Sequence, residues 1–454
     1  MVLENFLEMC KIPRGSGNMQ QISEFFVEFA KKNNLQYIKD DTNNVIIKKD
    51  AKNNKAPVIL QGHMDMVCEK TENSNHNFLT DSIKTITNGD FLSADNTTLG
   101  ADNGIGCSLI MEILKCQDEN LPPIEAVITT DEETGMFGAN GLDLKNLSGN
   151  TLINLDSEEE GVFCVSCAGG IRTDLNFPIR RIKVKKDFYK ISVSGLLGGH
   201  SGLNIKDNRG NAYKILARIL SYVDCLIADI KGGMKDNAIP REAYAIVACD
   251  DVDIKELADT IVSEFAITEP NLSISCQKVE KQGIALDAFS TKKIIDAITV
   301  IPNGIQSVDA LGNIETSLNL GMVELKKNSA HLTSLIRSSV ESRKQFIARK
   351  IKHLSRLLDG DIDFYGDYPG WKYNENSKIR DLFCDAYKDL FGKDATVNSI
   401  HAGLECGILF KKNPNLDIIS IGPEMYDVHT PQERVSLSSV ERTYKLLLEV
   451  LKRS

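Results

Sequence analysis

The stretch APVILQGHMDMV, residues 56–67, changes character half-way along. Pro57 to Leu60 begin a short apolar run that reads as a buried strand. The run ends beside Gly62, and His63 and Asp65 follow two residues apart. Open α/β sheets build their sites at the carboxyl ends of their strands, so a buried strand that ends by presenting a histidine and an aspartate marks a functional rim. Taken alone, an H-x-D pair is an ordinary surface feature. Its weight depends on whether neighbouring strands end in the same way.

They do. IEAVITT (124–130) is a β-branched strand followed at once by DEETG, which carries Glu132 and Glu133. TLINLD (151–156) ends on Asp156, and LDIISIG (416–422) leads into PEMYDVHT with His429. Helical spacing marks ISEFFVEFAKKN (22–33), NGIGCSLIMEILKC (103–116) and SSVERTYKLLLEVLKR (438–453). Asp102 stands just before the second of these. The alternation predicts an α/β catalytic domain, a mixed sheet with helices on both faces.

Two histidines and several carboxylates suit divalent cations of the zinc type. Crowded carboxylates without cations repel, and some must stay protonated. A pair of cations sharing one bridging carboxylate resolves that repulsion. The adjacent Glu132 and Glu133 then divide the labour, one binding metal and one taking a proton.

The 454 residues suffice for several domains, and 42% apolar with 26% charged residues is ordinary for a soluble protein. A net charge of −10 argues against a nucleic-acid partner. No apolar run approaches the ~20 residues of a membrane span, and the start lacks the pattern of a signal peptide. The eleven cysteines are scattered and odd in number, which predicts reduced thiols and a cytoplasmic location. The one tight pair, CVSC (164–167), has no second pair or histidine to complete a tetrahedral site.

The ordered set GHMD, GADNG, DEETG, LDSEE, GGHSG and VHT resembles the M20 family of dinuclear metallopeptidases. CKIPRGSGN (10–18), GGHSGLNI (198–205), HAGLECG (401–407) and GPEMYDVHTPQE (422–433) resemble its aminoacyl-histidine dipeptidase branch, the Xaa-His or carnosinase-like dipeptidases. The resemblance covers nearly the whole chain. It implies that His63 and Asp156 bind one ion, that Glu133 and His429 bind the other, and that Asp102 bridges them before a cis peptide to Asn103. The ions would be zinc, with cobalt or manganese as substitutes. Asp65 would orient His63, and Glu132 would be the general base.

By position, residues 187–370 are the family's lid, inserted between the catalytic segments 1–186 and 371–454. His200 would reach the tetrahedral oxyanion from this lid. The order helix, strand, helix, strand occurs twice, which predicts an internal duplication into 187–279 and 280–370. In dimeric relatives the oxyanion histidine comes from a neighbouring subunit. A doubled lid would let one chain supply its own, and a homodimer stays compatible with the sequence. Arg337 in SLIRSS matches a substrate-binding arginine, whose fork suits a terminal carboxylate, with Asn319 close by on the paired strand. Relatives use the loop at Gly403 to hold the substrate's carboxylate end; His401 and Glu405 would either bind substrate or cap that loop. The expected activity is hydrolysis of unblocked dipeptides, with the Xaa-His type first. Deacylation of N-acyl amino acids is the rival reaction, and a non-catalytic metal-binding protein the rival class.

Overall fold

The computed structural model describes residues 2–280, 282–309 and 312–454. They form two compact units. The first comprises the chain up to Ser166 with Tyr373–Ser399 and Glu405–Ser454. Its eight-stranded sheet runs Gln36–Lys39, Val45–Lys49, Ile124–Thr129, Val58–His63, Thr151–Asn154, Asp417–Ser420, Val162–Cys167 and Thr396–Ile400. The four strands from Ile124–Thr129 to Asp417–Ser420 are mutually parallel, and antiparallel strands flank them. Val58–His63 and Ile124–Thr129 are buried along their whole length. Both faces of the sheet are therefore covered there, which is why these strands read as unbroken apolar runs rather than alternations. Register keeps the carboxyl ends nearly level: His63 lies opposite Thr129, and Gln61 opposite Asn154. The helix Ala101–Lys115 is buried over almost every residue and packs on the Val58–His63 strand.

The second unit comprises Cys167–Lys372 and Ile400–Leu404. It holds two principal antiparallel sheets that share one apolar core. The smaller follows the chain as Asp187–Ser194, helix Ala212–Leu220, Leu226–Gly232, Ala243–Cys249, helix Lys255–Phe265 and Ser273–Val279. Its strands lie in the order second, third, first, fourth. The larger begins with Gly169–Pro178 and resumes with helix Ala288–Val300. Ile314–Leu325, Ser329–Ser338, helix Glu341–Leu357 and Asp361–Tyr368 follow. The order is again second, third, first, fourth, with Gly304–Val308 added at the edge.

The smaller sheet occupies Asp187–Val279, the first expected repeat, but the second unit begins at Cys167 rather than at the expected 186/187 boundary. The strand Gly169–Pro178 pairs with Ser329–Ser338 and Asp361–Tyr368, so it belongs to the second unit and supplies the first strand of the larger sheet. The smaller sheet is inserted after that strand, so the two arrangements are nested rather than tandem. No helix among the described residues is long and apolar enough to cross a membrane.

Candidate active site

Four parallel strands deliver the site of the first unit. His63 is the last residue of its strand, 1% exposed, and Asp65 two residues on is fully buried. Beyond Thr129 the chain turns through Asp131, whose φ of 51° is left-handed, and presents Glu132 and Glu133. Asp156 follows Asn154, and His429 comes from the loop after Asp417–Ser420. His63 Nε2 stands 3.3 Å from Asp102 Oδ1 and 3.3 Å from Asp156 Oδ1. His429 Nε2 lies 3.0 Å from Asp102 Oδ2 and 3.0 Å from Glu133 Oε1. Asp102 thus turns one oxygen to each histidine. Glu132 joins His63 and Glu133 in a third group whose ligand atoms lie within 4.8 Å of one another. The Asp102–Asn103 peptide is cis.

The charges here balance only by sharing protons. Burial opposes protonation of His63, yet the Asp156, Asp102 and Asp65 carboxylates hold its pKa well above the usual value. Burial pushes Asp156 up to about 7 and Glu132 well above the ordinary carboxylate range. Burial also works against ionised Asp102, but hydrogen bonds to His429 and His63 keep its pKa low. Hydrogen bonds to Asp102 and Glu133 lift His429 to about 11. Asp156 Oδ1 is buried with only its long contact to His63 Nε2, short of hydrogen-bond geometry. Two imidazoles and three carboxylates, with that buried oxygen poorly satisfied, are a donor set that fits a pair of divalent cations.

A second layer of residues holds these groups. Asp65 Oδ1 stands 3.3 Å from His63 Nδ1 and accepts from the Glu132 N–H at 3.2 Å. Its Oδ2 accepts from Ser16 Oγ at 2.7 Å and the Glu133 N–H at 3.4 Å. Arg14, 2% exposed, donates to the Met64 and Asp65 carbonyls at 3.1 and 3.2 Å and to that of Gly100. Glu405 is fully buried. It accepts from Gln61 Nε2 at 2.5 Å and Thr129 Oγ1 at 2.6 Å, and Gln61 Oε1 accepts from Asn154 Nδ2 at 2.6 Å. This network ties three parallel strands together below the rim. Burial raises Glu405 to about 7. Arg14, Ser16 and Glu433 lie inside stretches that the sequence singled out, but nothing in residue type alone assigned them a task.

The family model for peptidase family M20/M25/M40 matches residues 59–453. The chain belongs to that family. It is 39% identical to the cytosol non-specific dipeptidase of Escherichia coli (strain K12) over 467 aligned positions, covering 98% of this chain and 96% of the relative. Its fold superposes on the crystal structure of aminoacylhistidine dipeptidase from Vibrio alginolyticus with a TM-score of 0.94 at 33% identity, covering 100% and 96% of the two chains. A tripeptidase from Staphylococcus aureus shares the fold at 16% identity, with a TM-score of 0.62 and coverage of 100% and 98%. The resemblance to M20 peptidases read from the motifs is borne out.

The second unit of this M20 chain gathers another set of polar residues. His200 Nδ1 accepts from the Gly202 and Leu203 N–H groups at 3.3 and 3.2 Å, which leaves the proton of the neutral ring on Nε2. Burial, and then Arg337, lower its pKa and favour that neutral form. His200 Nε2 faces Arg337 Nη2 at 3.4 Å, donor against donor. Arg337 is 5% exposed; its Nη1 donates to Tyr368 Oη at 2.9 Å, and its Nε is buried without a partner among the described residues. Facing donors of this kind call for a shared anion. Ser317, opposite Arg337 on the paired strand, contacts His401 Nε2 at 2.7 Å, and burial drives His401 down to about 3. Gly403 lies in the same Ile400–Leu404 segment. Asn319 donates to the Asp236 and Ala238 carbonyls at 3.1 and 2.8 Å, so both amide hydrogens are committed to the backbone. Its Oδ1 faces Asn211 Nδ2 at 3.5 Å. Of the two alternatives for Glu405, its burial among Gln61 and Thr129 favours a structural one.

Proposed function

We propose that this M20 chain hydrolyses unblocked dipeptides, Xaa-His peptides among them, using two divalent cations, zinc before cobalt or manganese. The observation that carries this reading is Asp102, whose two oxygens face two separate ligand sets. His63 and Asp156 would hold one cation, Glu133 and His429 the other, and Asp102 both. Bound there, such cations supply Lewis acidity and acidify water. Glu132 is the general base: it takes the proton from the attacking water and returns it to the leaving amine. Asp65 orients His63 and the Glu132–Glu133 turn. His200 offers its Nε2 proton to the oxyanion, and Arg337, with the segment around His401 and Gly403, takes the substrate carboxylate.

The identity to a cytosol dipeptidase and the eleven free cysteines support a cytoplasmic location. The shared strand order supports reading the two sheets of the second unit as diverged copies, one nested within the other.

The test is hydrolysis of a panel of dipeptides including Xaa-His, a tripeptide and an N-acyl amino acid, with and without chelator, by wild type and E132Q. Dipeptide cleavage should require metal, and E132Q should lose at least ~10²-fold in kcat while keeping its metal. Near-normal turnover by metal-loaded E132Q removes Glu132 as the base. Preferential cleavage of the N-acyl amino acid replaces the dipeptidase reading.

A further inference from the structure

Glu433 lies four residues beyond His429 and is 2% exposed. Its Oε2 accepts from the N–H groups of Leu99 and Gly100 at 2.7 and 2.9 Å. Its Oε1 accepts from those of Ala101 and Asp102 at 2.7 and 3.3 Å. Four consecutive backbone donors converge on one carboxylate. They open the helix Ala101–Lys115, where N–H groups have no partner within the helix.

A cap of one or two hydrogen bonds from a neighbouring serine or aspartate would satisfy a helix start. Here the cap comes from more than 300 residues away in the chain, and from the loop that also carries His429. The Glu433 N–H bonds back to the Thr430 carbonyl at 3.1 Å, closing a turn directly after His429. On the other side of the Leu99–Gly100 segment, Arg14 donates to the Gly100 carbonyl and to those of Met64 and Asp65. The segment before Asp102 is therefore gripped by an anion from the His429 loop and by a cation that also grips the His63 loop. A buried carboxylate beside ionised Asp102 is electrostatically unfavourable, and burial, then Asp102, raise the pKa of Glu433 against the pull of the backbone N–H groups.

We propose that Glu433 is a positioning residue for the dinuclear centre: it fixes the backbone of Asp102 so that one carboxylate oxygen meets each ligand set. The proposal rests on Asp102 bridging two cations. Because the bridge is shared, loosening it should weaken both ions, whereas removing a ligand of one ion should weaken mainly that one.

The experiment titrates metal-free protein with zinc by calorimetry, for wild type, E433Q, E433D and H429A. Absorption spectra of the cobalt-loaded forms and circular dichroism accompany it. Glutamine keeps the size but sets an NH2 group against two of the four N–H donors. The expected result is a folded E433Q whose two zinc equivalents both weaken by ~10-fold or more, with an altered cobalt spectrum and partial recovery in E433D. H429A should weaken chiefly one equivalent. A pure helix cap would lower the thermal midpoint of the metal-free protein and leave zinc affinities and the cobalt spectrum unchanged. That result, or weakening of one equivalent alone, overturns the proposal. Should E433Q fail to fold, E433D carries the same comparison. Wild type that never binds more than one zinc overturns the dinuclear reading itself.

Discussion

Replacing Asp65 by asparagine separates the folding role of this carboxylate from its role toward metal. Asp65 has four contacts: Ser16 Oγ at 2.7 Å, the Glu132 and Glu133 N–H groups at 3.2 and 3.4 Å, and His63 Nδ1 at 3.3 Å. The new amide nitrogen fits best at the Oδ2 position, because the Ser16 hydroxyl can rotate and become the acceptor. One long hydrogen bond, to the Glu133 N–H, is then lost, at a cost of ~0.5–1 kcal/mol. The charge facing His63 also disappears. Removing such an outer partner of a ligating histidine lowers metal affinity by ~10–100-fold, or ~1.4–2.7 kcal/mol. Asp65 contacts neither Asp102 nor His429, and its bond to the Glu133 N–H is the longest of the four, so the loss should fall mainly on the His63 cation. The assay is a zinc titration of metal-free D65N alongside chemical denaturation. Stability should change by no more than about 1 kcal/mol while one of two zinc equivalents weakens at least ~10-fold. Unchanged affinity for both equivalents in a folded D65N refutes the orienting role.

Three further outcomes follow from the same geometry. Zinc at ~100 times its dissociation constant should raise stability by ~2.7 kcal/mol per site, reversed by chelator; a thermal midpoint indifferent to both contradicts a built metal site. R337A should lower kcat/KM for free dipeptides by ~10²-fold and hardly affect C-terminally amidated ones, because a buried charged hydrogen bond is worth ~2–5 kcal/mol. Equal losses on both substrates mean that Arg337 does not read the carboxylate. Burial raises the pKa of Glu405 to about 7 from its ordinary 4.5, so its contribution to stability is full below ~4.5 and is lost as pH rises through about 7. Metal-free E405Q lacks that titration and should gain on wild type by about 2 kcal/mol between pH 5 and 8; parallel pH profiles in denaturant unfolding would exclude it.

Much of the site was legible because strand burial and chemistry coincide in the sequence. His63, Glu132, Glu133 and Asp156 each follow an apolar run within a few residues, so the sheet alone carries them to one rim. Asp102 announced itself by opening a helix. Glu433 and Arg14 did not, because their importance lies in backbone groups of distant segments, and backbone donors leave no mark in residue type. The partners of the Asn319 amide, the carbonyls of Asp236 and Ala238, left no mark in the sequence for the same reason. In the second unit the helices were visible from their spacing. The strand Gly169–Pro178 has buried and half-buried positions in alternation, a readable period. Its partners, however, lie beyond the inserted sheet, and sequence order alone points to a tandem repeat.

That nesting bears on how the chain is made. Gly169–Pro178 leaves the ribosome early, yet Ser329–Ser338 and Asp361–Tyr368, between which it lies, are well over a hundred residues behind it. At ~5–20 residues per second the strand waits on the order of ten seconds for its neighbours. The inner sheet needs nothing beyond Val279 to complete its strand pairing, so it can close during that interval. A translational pause placed just after residue 279 would favour the inner sheet, whereas one between 180 and 270 would prolong exposure of an unpaired strand on the nascent chain.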